Sequence, residues 1–114
     1  MKTINRSELW SSIQAKEKLT LVEAQPKADF DKAHLPGALR VSRDELDLWA
    51  PKFLTDRDAR IVVYCDNIES KASPTVAGRL IELGYTNVSN YKEGKADWMK
   101  AGHPVEPLQV VATA

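Results

Sequence analysis

The sequence predicts a small α/β domain, a mostly parallel sheet flanked by helices. Three observations carry this. Short apolar runs alternate with amphipathic stretches along all 114 residues, the pattern of strands and helices taken in turn. The strongest strand, Arg60 to Tyr64, shows no polar alternation, which suits a central parallel strand covered on both faces. The length suits one domain with a real core, and no repeat or linker interrupts it.

In chain order, Ser7 caps a first helix through Gln14 that turns Leu9, Trp10 and Ile13 inward. Leu19 to Ala24 reads as a strand, ended by Pro26. Lys27 to Ala33 forms a short helix or turn holding Phe30 inward. Leu35-Pro36-Gly37-Ala38 is a tight turn, because proline fixes one dihedral and glycine permits the next. Leu39 to Val41 gives a short strand. Ser42-Arg43-Asp44-Glu45 then reads as a capping box opening a helix with Leu46, Leu48 and Trp49, stopped near Pro51.

After the central strand, Ser73 caps the strongest helix, with Pro74 in its first turn and Val76, Ala77, Leu80, Ile81 and Leu83 inside. Gly84 ends it, and Val88 to Tyr91 is the next strand. Lys92-Glu93-Gly94 turns into a last helix with Trp98 and Met99, ended by Gly102. The domain is read as residues 1–106. Residues 107–114 form a tail in which Leu108 and Val110 are able to dock.

Composition excludes several classes. Sixteen basic and sixteen acidic residues interleave, so there is no basic stripe for nucleic acid. The five glycines stand too far apart for a phosphate loop. One cysteine excludes an internal disulfide or a cysteine-rich metal cage, and two distant histidines, His34 and His103, are a poor ligand set. The opening residues are too polar for a secretory signal, and no apolar stretch approaches membrane-spanning length. The expectation is a cytoplasmic protein with no membrane partner and no cofactor.

The lone cysteine, Cys65, stands where the central strand meets its loop, just before the strongest helix. Ligands of such sheets bind beyond the carboxyl ends of the strands. Loop N–H groups and the positive end of a helix favour thiolate, the reactive form. The plain alternative is a small buried hydrophobe at a strand end.

The order of several blocks resembles a known family, the rhodanese-like domain in its single-domain form. The matching pieces are Asp29-Phe30 with His34-Leu35-Pro36-Gly37-Ala38, then Ile61-Val62-Val63-Tyr64-Cys65, then Ala77 and Leu80. They continue with Leu83-Gly84-Tyr85-Thr86-Asn87-Val88 and with Trp98 through Ala101-Gly102-His103-Pro104-Val105-Glu106. The resemblance implies a sulfurtransferase. Cys65 takes sulfane sulfur from a small donor such as thiosulfate or a persulfide, then passes it to cyanide, a thiol or a thioredoxin-like acceptor. The loop Asp66, Asn67, Ile68, Glu69, Ser70 and Lys71 would bind substrate, its N–H donors holding the persulfide charge as an oxyanion hole does. A non-catalytic binding or regulatory module of the same family is the alternative.

The chain departs from the family pattern in three places. Ala72 stands before Ser73 where an arginine is usual, leaving Lys71 as the basic loop residue, without arginine's two-pronged geometry. The loop is longer by two residues, and matches relatives that often carry a second cysteine where this chain has Ser70. Glu23 and Gln25 replace the aspartate and arginine that usually end the first strand, altering how that end is braced. Asp66 and Glu69 oppose both a thiolate and an anionic donor, while Lys71, Lys92 and Lys95 oppose them in turn. Weak use of free thiosulfate is therefore expected. A cysteine phosphatase would need an arginine clamp where Lys71 stands, with five residues between it and the cysteine, and that reading is poor.

Other residues have plainer roles. His34 is read as bonding backbone or Asp29, and His103 as surface or packing. Trp10, Trp49 and Trp98 are read as core, and Tyr64 as facing away from Cys65. Ser70 and Asn67 either touch the persulfide or satisfy the loop itself.

Overall fold

In the computed structural model, which describes residues 1–107, the chain begins β1 (Lys2–Thr3), α1 (Arg6–Gln14), β2 (Thr20–Glu23), α2 (Lys27–Lys32) and β3 (Leu39–Arg40). It continues α3 (Leu46–Phe53), β4 (Ile61–Tyr64), α4 (Ala72–Glu82), β5 (Val88–Tyr91) and α5 (Gly94–Lys100). All strand pairs are parallel, in the order β1-β5-β4-β2-β3. The tail residues Leu108 and Val110 lie outside the described residues. No helix among the described residues is long and apolar enough to cross a membrane.

β4 is central, and all four of its residues are fully buried. Alternate side chains face opposite sides of a strand. Ile61 and Val63 join Val22 and Val88 against Leu46 and Ala50 of α3 and Val76, Ala77 and Leu80 of α4. Val62 and Tyr64 join Leu21 and Tyr91 against Leu9 of α1 and Trp98 of α5. Two covered faces explain the absence of polar alternation.

Several local expectations are corrected. Asn5, not Ser7, caps α1: its Oδ1 accepts the Glu8 N–H at 2.8 Å, and Glu8 Oε1 accepts the Asn5 N–H at 3.0 Å. Ser42 does not open α3. Its hydroxyl donates to Glu45 Oε1 at 2.7 Å within a turn, and the helix begins at Leu46. Pro51 does not stop α3, which closes its last turn with Leu54 N–H on Ala50 O at 2.7 Å. The helix loses only the one N–H that proline lacks. Ile81, read as inward, is exposed, and so is the apolar Leu48 of α3. The Leu35–Ala38 turn forms as expected, with Gly37 at φ +76° and Ala38 N–H on Leu35 O at 3.1 Å.

Candidate active site

β4 and α4 build the site between them. Cys65 follows β4 on the α3–α4 side of the sheet, since it alternates with Ile61 and Val63. It is fully buried. Its Sγ lies 3.2 Å from Ser73 Oγ, 3.7 Å from the Asn67 carbonyl and 3.9 Å from the Ser70 carbonyl. Ser73 was expected to cap α4. It is instead the helix's second residue, buried, with its hydroxyl on the sulfur, and Lys71 holds the cap position. A hydroxyl can accept from S–H or donate to a sulfur anion, so this contact serves both charge states.

The loop binds itself together. Asn67 Oδ1 accepts the N–H groups of Glu69 at 3.0 Å and Ser70 at 3.2 Å, and Ser70 Oγ accepts the Ala72 N–H at 3.2 Å. Those three N–H groups are engaged by loop side chains. Asn67 and Ser70 thus fix the loop's shape, while Asp66, Ile68, Glu69 and Lys71 are exposed.

The loop is also held from beneath. Lys95 N–H donates to Cys65 O and Ala96 N–H to Asp66 O, both at 2.8 Å. The first turn of α5 therefore caps the two carbonyls around the cysteine. This close approach requires Gly94, at φ +75°: a Cβ there would stand 2.6 Å from Cys65 O and 2.9 Å from Asn67 N. From the sequence, Gly94 is read only as part of the turn that opens the last helix. A glycine opening a helix after a strand was the signal available.

A second assembly, unforeseen from the sequence, braces the strand ends on the other face. Glu23 is fully buried. Its carboxylate accepts from Tyr64 Oη at 2.7 Å and from Lys95 Nζ at 2.8 Å. The Lys95 ammonium also donates to Asp29 O at 3.1 Å and Ala33 O at 2.7 Å, so all three of its protons are used. Tyr64 Oη accepts the Leu35 N–H at 3.0 Å. Burial first, and the Glu23 charge second, push the Tyr64 phenol far above its ordinary range. Lys95 was expected to lend charge to the cysteine loop. Its ammonium is instead committed to Glu23, because a buried carboxylate needs a partner.

The histidines and tryptophans serve packing. His34 Nδ1 lies 2.8 Å from Phe30 O, and its ring stacks on Phe30. His103 stacks on Trp10, and Trp10 meets Trp98 edge-on at 5.7 Å. Among the described residues no group of carboxylates, histidines and cysteine could hold a metal.

The rhodanese-like domain family matches residues 5–101. HTH-type transcriptional regulator Rv0324 of Mycobacterium tuberculosis is 32% identical over 103 residues, covering 90% of this chain and 44% of the regulator. The chain therefore spans less than half of that relative. A crystal structure of thiosulfate sulfurtransferase from Pseudomonas aeruginosa superposes with a TM-score of 0.82 at 26% identity, over 92% of this chain and 20% of that one. The BH2092 protein of Bacillus halodurans superposes with a TM-score of 0.84 over 92% of this chain and 76% of that one; at 20% identity this likeness shows the fold alone.

Proposed function

Since the chain belongs to the rhodanese-like domain family, we propose that it is a sulfurtransferase in which Cys65 carries sulfane sulfur as a persulfide. The observation that carries the reading is the Cys65 Sγ–Ser73 Oγ contact of 3.2 Å at the first turn of α4. The thiolate attacks the outer sulfur of an organic persulfide, R–S–SH. The old S–S bond breaks, a new one forms on Cys65, and R–S⁻ leaves with the electron pair. With thiosulfate the leaving group is sulfite. A thiol or cyanide then attacks the outer sulfur and releases the Cys65 thiolate. The two displacements balance without an external oxidant or reductant.

Ser73 serves both stages by turning its hydroxyl to donate to the anionic sulfur, a charge-assisted bond. The buried position of Cys65 requires the 66–71 loop to give way to a donor. Asp66 and Glu69 in that loop disfavour a small dianion, so a persulfide is the better donor and thiosulfate a weak one.

The test is intact-mass spectrometry of the reduced protein before and after an organic persulfide and, separately, thiosulfate, with Cys65→Ser as control. The expected result is one added sulfur, absent from the control and removed by a thiol or cyanide. Thiosulfate turnover equal to persulfide turnover would overturn the donor preference.

A second reading is a non-catalytic regulatory module, favoured by the likeness to a transcriptional regulator more than twice as long as the matched region. It predicts no added sulfur from either donor.

A further inference from the structure

A cleft of about 560 Å³ opens at the carboxyl ends of the strands, on the same side of the sheet as Cys65. The parallel register Glu23↔Tyr64 sets Ala24 beside Cys65, and Ala24 lines the cleft. Ala72, next to the Ser73 that touches the sulfur, lines it too. Two methyl side chains, of residues beside Cys65 and Ser73, thus line the cleft, and Pro26 and Val76 add to its apolar floor; the buried Cys65 itself lies behind this lining.

The rim is charged. Arg40, Arg43 and Lys71 stand around the opening with one carboxylate, Glu45. Arg40 is spoken for by Glu45 at 3.2 Å and Gln25 O at 3.2 Å. Arg43 has a single half-exposed partner, Asp47, at 3.6 Å, and Lys71 has no ion-pair partner among the described residues. The cleft therefore offers an apolar floor and two cations with capacity to spare.

Its volume falls within the roughly 300–1,000 Å³ typical of sites for organic ligands, far more room than thiosulfate needs. Resting on the sulfurtransferase reading, we infer that the cleft binds an organic sulfur carrier with a carboxylate. Its acid pairs with Lys71 and Arg43, its carbon skeleton lies on Ala24, Pro26 and Val76, and its sulfur end points toward Cys65. The same skeleton serves as donor when it is a persulfide and as acceptor when it is a thiol.

The test uses a nearly isosteric pair, N-acetylcysteine and N-acetylcysteine amide, which differ in the carboxylate. In the donor arm both are supplied as persulfides and loading of Cys65 is timed. In the acceptor arm both are supplied as thiols to the loaded protein. The ratio of kcat/KM for acid over amide is compared between the wild type and Arg43→Gln/Lys71→Gln. Both residues are exposed, so the variant keeps its fold. We expect the ratio to fall roughly tenfold in at least one arm, the order expected for a lost charge-assisted bond, and the arm that responds identifies donor or acceptor. An unchanged ratio in both arms overturns the cleft assignment while leaving the sulfur chemistry standing.

Independently, S-methyl-N-acetylcysteine, which cannot exchange sulfur, is titrated onto Cys65→Ser and followed by amide NMR. Shifts at Thr75 and Val76, lost in the added Arg43→Gln/Lys71→Gln changes, support the cleft whether or not Cys65 accepts sulfur. Saturating probe without such shifts overturns it.

Discussion

Gly94→Ala separates backbone strain from close approach, because the chain supplies its own control. Gly94 and Gly102 hold nearly the same dihedral, φ +75° and +80°, but a Cβ at Gly102 meets nothing within 4 Å. At Gly94 the same atom would stand 2.6 Å from Cys65 O, 2.9 Å from Asn67 N and 2.9 Å from Asp66 C. All three are backbone atoms, so no side chain can swing aside. Gly102→Ala should lose about 1–2 kcal/mol, the cost of a left-handed residue with a Cβ. Gly94→Ala adds to this an overpacking cost of about 1–3 kcal/mol, for a total near 2–5 kcal/mol. That is a large share of the ~5–15 kcal/mol that stabilises an ordinary domain. Urea unfolding of the two variants beside the wild type measures both losses. The Gly94 substitution should also displace the cysteine loop, altering the rate at which Cys65 gains sulfur, whereas Gly102→Ala should leave that rate alone. Equal destabilisation of the two variants would refute the close-approach argument.

Other perturbations test other contacts. Lys95→Met strands the Glu23 carboxylate in the core and should cost about 3–5 kcal/mol in urea unfolding, with Lys95→Met/Glu23→Leu recovering much of it; a loss below about 1 kcal/mol would mean the pair behaves as a surface ion pair. Ser73→Ala should slow sulfur loading of Cys65 roughly tenfold in timed mass spectrometry, and an unchanged rate would remove Ser73 from the chemistry. Ser42→Ala addresses Glu45, whose carboxyl is held below its ordinary range chiefly by the Ser42 hydroxyl and then by Arg40. Because that group is depressed in the fold, its contribution is present above the ordinary value of 4.5 and fades as pH falls through the lower folded value. The variant should shift the Glu45 NMR titration upward, so that the contribution fades at a higher pH; an unmoved midpoint would contradict the bond.

What the sequence made legible followed long-range regularities. The unbroken apolar run of β4 and the Val76, Ala77, Leu80 spacing of α4 announce burial directly, so the layered sheet and the place of Cys65 were readable. The pairs that fix the site were not. Ser73 before a proline looks like a cap, and only the folded loop turns its hydroxyl to the sulfur. A lysine reads as surface, so nothing local marks Lys95 as the buried partner of Glu23, seventy-two positions away. β1 is two residues long, too short for any period, and exists because β5 offers an edge. Ser42 and Glu45 do bond each other, yet as side chains within a turn, which sequence spacing does not distinguish from a capping box.

The strand order also sets a timetable for assembly. β2 pairs with β3 and β4 across short stretches of chain, so most of the sheet can grow as its pieces emerge from the ribosome. β1 cannot. Lys2 pairs with Ser89, 87 positions later. At a synthesis rate of about 5–20 residues per second, the first strand waits roughly 4–17 s for its partner to be made. During that wait β1 has no strand to pair with, so its docking on β5 at the edge of the sheet has to follow the synthesis of β5.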